Sequence, residues 1–138
     1  MKNLMMLFLV ATVSLVSCDK NDDNDSTSGA LEGKWQYTKE GNIVDGEEML
    51  SDFVHAPGCT KDYVQLLDNG TFSDHSFDGA ACDDTVFSGN WTRSGNIITI
   101  TETGENPSEI EILSLTSTTL KTKEVFKGEI LITIYTKI

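Results

Sequence analysis

Residues 31–138 predict an all-β fold, a small antiparallel up-and-down barrel of about eight strands, and three observations carry that expectation. No window places apolar residues at helical spacing over the length a stable helix needs. Short runs rich in Ile, Val, Thr, Tyr and Phe instead alternate with clusters of Gly, Asn, Asp and Ser, which is the pattern of strands and turns. The turns are mostly tight, which favours strands paired in chain order over Greek-key crossings. An open meander has two unpaired edges, and closing the sheet on itself removes them. A two-sheet β-sandwich is the competing arrangement.

The strands fall near 33–39, 62–67, 71–77, 84–93, 96–102, 108–115, 118–126 and 129–137. Gly33 lets the backbone approach closely where the first strand begins, and Trp35 is large enough to plug one barrel end. Segment 40–61 reads as a long loop, with a helical turn over Gly46-Glu47-Glu48-Met49-Leu50. It carries Ile43, Val44, Met49, Leu50, Phe53 and Val54, too many apolar residues to face water, so a lid over the barrel mouth is expected. Asp68-Asn69-Gly70, Ser94-Gly95-Asn96 and Lys127-Gly128 supply the positive-φ residues of tight hairpins. Strand alternation assigns Val64, Leu66, Phe72, Phe87, Trp91, Ile98, Ile100, Ile110, Ile112, Leu120, Ile130, Ile132 and Ile134 to the interior. The last strand, Glu129 to Tyr135, is apolar on both faces, so the 40–61 segment is expected to cover its second face.

The residues before the barrel read as an address. Lys2 and the apolar run Leu4 to Val16 have the dimensions of a signal peptide, residues 1–17, and fall short of the roughly 20 residues that span a bilayer. Leu15-Val16-Ser17-Cys18 resembles the lipobox of bacterial lipoproteins, which implies that Cys18 is lipidated and anchors the chain to a membrane. Acyl chains hold at ~0.8 kcal/mol per buried CH₂, and stable anchoring takes more than one chain. Ordinary cleavage that leaves Cys18 a plain thiol is the other reading. Residues 18–30 then form an acidic, disordered tether, because 19–29 contain no apolar side chain to bury. Their Asp and Asn spacing lacks the Gly and the closing Glu of a calcium loop. Acidic tracts after a lipidated Cys resemble surface-export signals of the Bacteroidota, which implies the outer membrane of the cell envelope and exposure at the surface. In enterobacterial-type sorting the same Asp19 implies retention at the inner membrane.

Several residues resemble the lipocalins. Gly33-Lys34-Trp35 matches the Gly-x-Trp signature that opens them. Asp62 to Leu66 with Asn69-Gly70-Thr71-Phe72, then Gly89-Asn90-Trp91 with Gly95 to Ile100, then Ile112 to Leu120, resemble successive blocks of the lipocalin-like domains of small bacterial lipoproteins. The resemblance implies a barrel that binds one small apolar or amphipathic ligand, and it makes Phe53, Leu66, Phe72, Trp91, Ile100, Ile112 and Ile132 candidate ligand-lining residues. Lipocalins commonly pack a late Arg over the first-strand Trp. Here the single Arg is Arg93, and Lys137 is the residue that could take that place, as a point charge without a stacking plane.

The remaining chemistry is sparse. With Cys18 acylated, an exported chain leaves Cys59 and Cys82 as a disulfide pair. A zinc site of both cysteines with His55 and His75 is the sharper alternative, but the spacing matches no compact zinc module. No nucleophile elbow, His-Glu-x-x-His or phosphate loop is present, and the adjacent pairs Glu47-Glu48 and Asp83-Asp84 point to opposite faces of a strand. The expectation is a monomer that is not an enzyme and takes no cofactor. A formal charge of −12 and a pI near 4.3 exclude the basic face that nucleic acid requires. Two functions compete: a lipid-anchored binding protein for a small hydrophobic ligand, and a filled barrel that serves as a protein-interaction or structural subunit at the surface. A hollow interior of a few hundred cubic ångströms favours the first, and side chains meeting at the axis favour the second.

Overall fold

A computed structural model of the protein describes residues 29–138. The expected signal peptide, Cys18 and the tether up to residue 28 lie outside the described residues. The strand-forming runs produce β1 (Gly33–Val44), β2 (Glu47–Asp52), β3 (Tyr63–Leu66), β4 (Thr71–Asp78), β5 (Asp83–Ser94), β6 (Ile97–Glu102), β7 (Ser108–Leu115), β8 (Thr119–Phe126) and β9 (Glu129–Lys137). Neighbours pair antiparallel in up-and-down order, and β1 closes on β9 with Tyr37 opposite Tyr135. The result is a closed barrel, not a sandwich.

Nine strands make an eight-position wall because β2 and β3 share one position. β3 pairs with the first part of β1, Gly33 opposite Leu66, and β2 with the second part, Lys39 opposite Asp52. Residues 53–62 leave the sheet between them. The Phe53 N–H donates to Thr38 O at 2.9 Å on one side of this break, and the Tyr37 N–H donates to Asp62 O at 3.2 Å on the other.

The 40–61 segment is therefore no loop-built lid, and 46–50 is no helical turn. Asp45 and Gly46 have φ of 53° and 85°, both positive as a type I′ hairpin turn requires, and they fold β2 back on β1. At Gly41 the β2 backbone lies close over β1. A Cβ on Gly41 would lie 1.9 Å from the Met49 carbonyl oxygen, so only glycine fits. The bent hairpin lets Glu48 of β2 reach Lys121 of β8 at 2.7 Å, past the intervening β1 and β9.

That reach explains a buried residue on the wrong side of the wall. Tyr135 faces the interior, so alternation puts Ile130, Ile132 and Ile134 on the outer face and Leu131 and Thr133 inside. Ile132 is nevertheless 0% exposed, and it pairs with Gly41, the position over which the hairpin bends. Part of the 40–61 segment does approach the outer face of β9, as a strand pair.

The core gathers at the end where β1 begins. Leu31, Trp35, Leu66, Phe72, Trp91, Ile98, Ile112, Leu115 and Leu120 form one buried cluster. Both indoles satisfy their N–H groups there: Trp35 donates to Leu31 O at 2.7 Å, and Trp91 to Leu67 O at 3.0 Å. Lys137 Nζ sits 4.8 Å from the Trp35 ring centroid, the cation over the first-strand indole that the sequence offered in place of an Arg. Arg93 donates to Gly29 O at 2.8 Å, so the first described residue lies at this closed base.

Candidate functional site

Above the packed base the barrel interior opens into a cavity of about 180 Å³. Its floor is apolar, made by Leu66, Phe72, Ile98 and Leu120 of the core cluster. Val64, Ile100 and Ile110 continue the apolar wall upward. The remaining lining is polar: Tyr37, Asp74, Glu102, Ser108, Thr122, Glu124 and Tyr135. The interior is thus neither filled to the axis nor wide. It suits a ligand smaller than the drug-sized molecules that occupy several hundred cubic ångströms.

Each carboxylate reaches the cavity by strand parity. Asp74 follows Phe72 by two residues on β4, Glu102 follows Ile100 on β6, and Glu124 follows Thr122 on β8. Residues two apart share a face of a strand. These are alternate strands of the wall running toward the same end, so three acids ring the upper part of the hollow. Tyr37 of β1 and Tyr135 of β9 face each other across the barrel seam, with ring centroids 4.9 Å apart.

Electrostatics follow from this placement. The Tyr37 hydroxyl donates to Asp74 Oδ2 at 2.9 Å. Burial pushes the Asp74 carboxyl above its usual range; the Tyr37 bond and the nearby His75 charge oppose the shift, while Asp62 and Glu102 repel and add to it. Glu124 is likewise pushed up by burial and then by repulsion from Glu102. Burial drives both tyrosines well above the ordinary phenol range, so they remain neutral donors at any physiological pH. No Lys, Arg or His lines the hollow.

At the mouth, Phe87 pairs with Asp74 and Phe126 follows Glu124 by two, so both occupy inward-facing positions, yet they are 51% and 57% exposed. They form an apolar lip, with Lys127 Nζ 5.0 Å from the Phe126 ring centroid.

Of the candidate ligand-lining residues, Leu66, Phe72 and Ile100 line the cavity. Phe53 does not; it stacks on Tyr37, with centroids 4.8 Å apart, and so supports a lining residue from beside the strand break. Trp91 and Ile112 are built into the packed base, and Ile132 lies on the outer face. Gly33 and Trp35 belong to the base: Gly33 has φ 131° and faces the Lys137 side chain. Alternation was a sound guide to β3, β4 and β6 but did not reveal how far down the packing stops. The acids were legible in principle, because alternation carries the inward face from Phe72 to Asp74, from Ile100 to Glu102 and from Thr122 to Glu124.

Cys59 and Cys82 form a disulfide, which ties the 53–62 excursion to the β4–β5 turn. The zinc alternative is not assembled. His55 Nε2 donates to Tyr37 O at 3.0 Å while its Nδ1 accepts from the Asp62 N–H at 3.0 Å, so its ring holds the strand break together. His75 lies on the outer wall, 3.0 Å from Asp84 and stacked on Tyr63. Among the described residues, no group of three or more His, Cys, Asp or Glu is placed to hold a metal ion.

The barrel fold agrees with what sequence and structure comparisons find. Residues 31–122 match the model of the lipocalin-like domain family. A lipocalin-like protein from Bacteroides uniformis superposes with a TM-score of 0.59 at 20% identity, covering 80% of this chain and 100% of its own. An uncharacterized protein from Bacteroides eggerthii does so with a TM-score of 0.55 at 15% identity, covering 79% of this chain and 100% of its own. At such identities these likenesses speak to the fold alone. No curated protein matches the sequence significantly. With the family model spanning most of the barrel, from the residues before Gly33-Lys34-Trp35 through the first half of β8, this chain belongs to the lipocalin-like domain family.

Proposed function

We propose that this protein is a lipid-anchored, monomeric binding protein that takes a small amphipathic ligand into the upper half of its barrel. The observation that carries this reading is the hollow of about 180 Å³ between an apolar floor and a polar upper wall. A ligand with an apolar end and a polar end matches that gradient, and burying its apolar end contributes roughly 25 cal/mol per Å². The lipobox-like Leu15-Val16-Ser17-Cys18 supports anchoring in the bacterial cell envelope, at the outer membrane and facing outward. Arg93 and Lys137 hold the carbonyls of Gly29 and Ala30 at the closed base, the end of the barrel opposite the cavity mouth.

Native mass spectrometry of the protein purified from its own source tests this. The expected result is an adduct of small mass that disappears on denaturation. A bare polypeptide mass, together with no uptake of any small probe, would favour the filled-barrel reading.

A further inference from the structure

We infer that the barrel's hollow selects an organic cation, a small primary amine carried on an apolar or aromatic body. This rests on the binding reading above and deepens it by naming the ligand's charge. The cavity comes first: a preformed space with an apolar floor is where the body of such a molecule would sit. Asp74, Glu102 and Glu124 stand around the same space from three strands, and no basic side chain among the lining answers them. The side-chain carboxylates of Glu102 and Glu124 have no hydrogen-bond or ion-pair partner among the described residues. Two half-buried tyrosines, Tyr37 and Tyr135, line the same space as Asp74, and their π faces attract cations.

Other ligand charges fit worse. An anion would meet two half-buried carboxylates, Asp74 and Glu124, and a third, Glu102, at the exposed rim, and like charges repel more strongly where water is partly excluded. A metal ion needs ligands that converge on one point, and among the described residues no such cluster exists. The acids surround a volume, which is the geometry for an ammonium head on a bulky body. The chain's charge of −12 adds a field that draws cations and slows the approach of anions.

The test uses three probes of one shape: 2-phenylethylamine, 2-phenylethanol and phenylacetate, titrated into the folded protein and followed by calorimetry. The amine should bind at least about tenfold more tightly than the alcohol, and phenylacetate should bind more weakly than either. Glu124→Gln and Asp74→Asn, each keeping the shape of the side chain, should weaken amine binding far more than alcohol binding and so remove most of that preference. Equal binding of amine and alcohol would overturn the charge selection while leaving the hollow a binding site. Preference for phenylacetate would overturn it more plainly. Failure of all three to bind would count against the binding reading itself.

Discussion

The Tyr37 hydroxyl donates to Asp74 at 2.9 Å, joining β1 to β4 across the interior although β3 lies between them in the wall. This single bond brings together the barrel seam, where Tyr37 meets Tyr135, and the acidic part of the cavity. It is the main influence that holds the Asp74 carboxyl down against burial.

Tyr37→Phe removes the donor and leaves the ring. Stability should fall by about 1 kcal/mol, the net value of such a bond. The Asp74 carboxyl should then titrate at higher pH than in the wild type, as read by carboxyl-carbon NMR. An unchanged Asp74 titration would mean the bond does not form in solution.

Asp74→Asn should stabilise the protein at neutral pH. Burial raises the folded carboxyl above its unfolded value of about 3.9, so ionising it costs stability as pH climbs from that value through the folded one. Tyr37 and His75 favour the charged form, and Asp62 and Glu102 oppose it. Net destabilisation therefore belongs to the higher pH, and it vanishes below the unfolded value, where both forms are protonated. Thermal melts of wild type and variant should diverge at neutral pH and converge in acid. A variant less stable than the wild type at neutral pH would contradict the assignment.

Gly41→Ala should cost about 2 kcal/mol, within the range for forcing atoms into a packed site, because the new Cβ collides with the Met49 backbone. Urea denaturation measures the loss. Hydrogen exchange should quicken in β2 and at Ile132 ahead of the base, since the hairpin lifts off first.

Reducing the Cys59–Cys82 disulfide, which closes a separation of 23 residues, should remove about 3 kcal/mol through the unfolded chain. The thermal midpoint in reductant measures this. Cys18→Ser should abolish palmitate labelling in cells, and equal labelling of that variant would remove the proposed anchor.

The eight wall positions were legible because β-branched runs and turn residues agree at every one but the second. There the signal was present and small: Asp45-Gly46 is a hairpin dipeptide, but its flanks, Glu40 to Val44 and Glu47 to Asp52, carry too little alternation to read as strands. The parity of β9 was misread for a physical reason. Ile130, Ile132 and Ile134 look like the inward set beside polar Thr133, but the hydroxyls of Thr122 and Thr133 serve the buried Tyr135 hydroxyl inside, while the bent hairpin buries Ile132 outside. Neither fact is local to β9. The acid-lined hollow was hidden in the same way, since Asp74, Glu102 and Glu124 meet only once the sheet closes.

The most direct measurement is an amide chemical-shift map of the protein with 2-phenylethylamine. The account predicts saturable shifts confined to the cavity wall, at Val64, Asp74, Ile100, Glu102, Glu124 and Tyr135, with the outer-face residues Val86, Val125 and Ile132 unmoved. Shifts spread over the acidic outer surface, or none at the cavity wall, would contradict it.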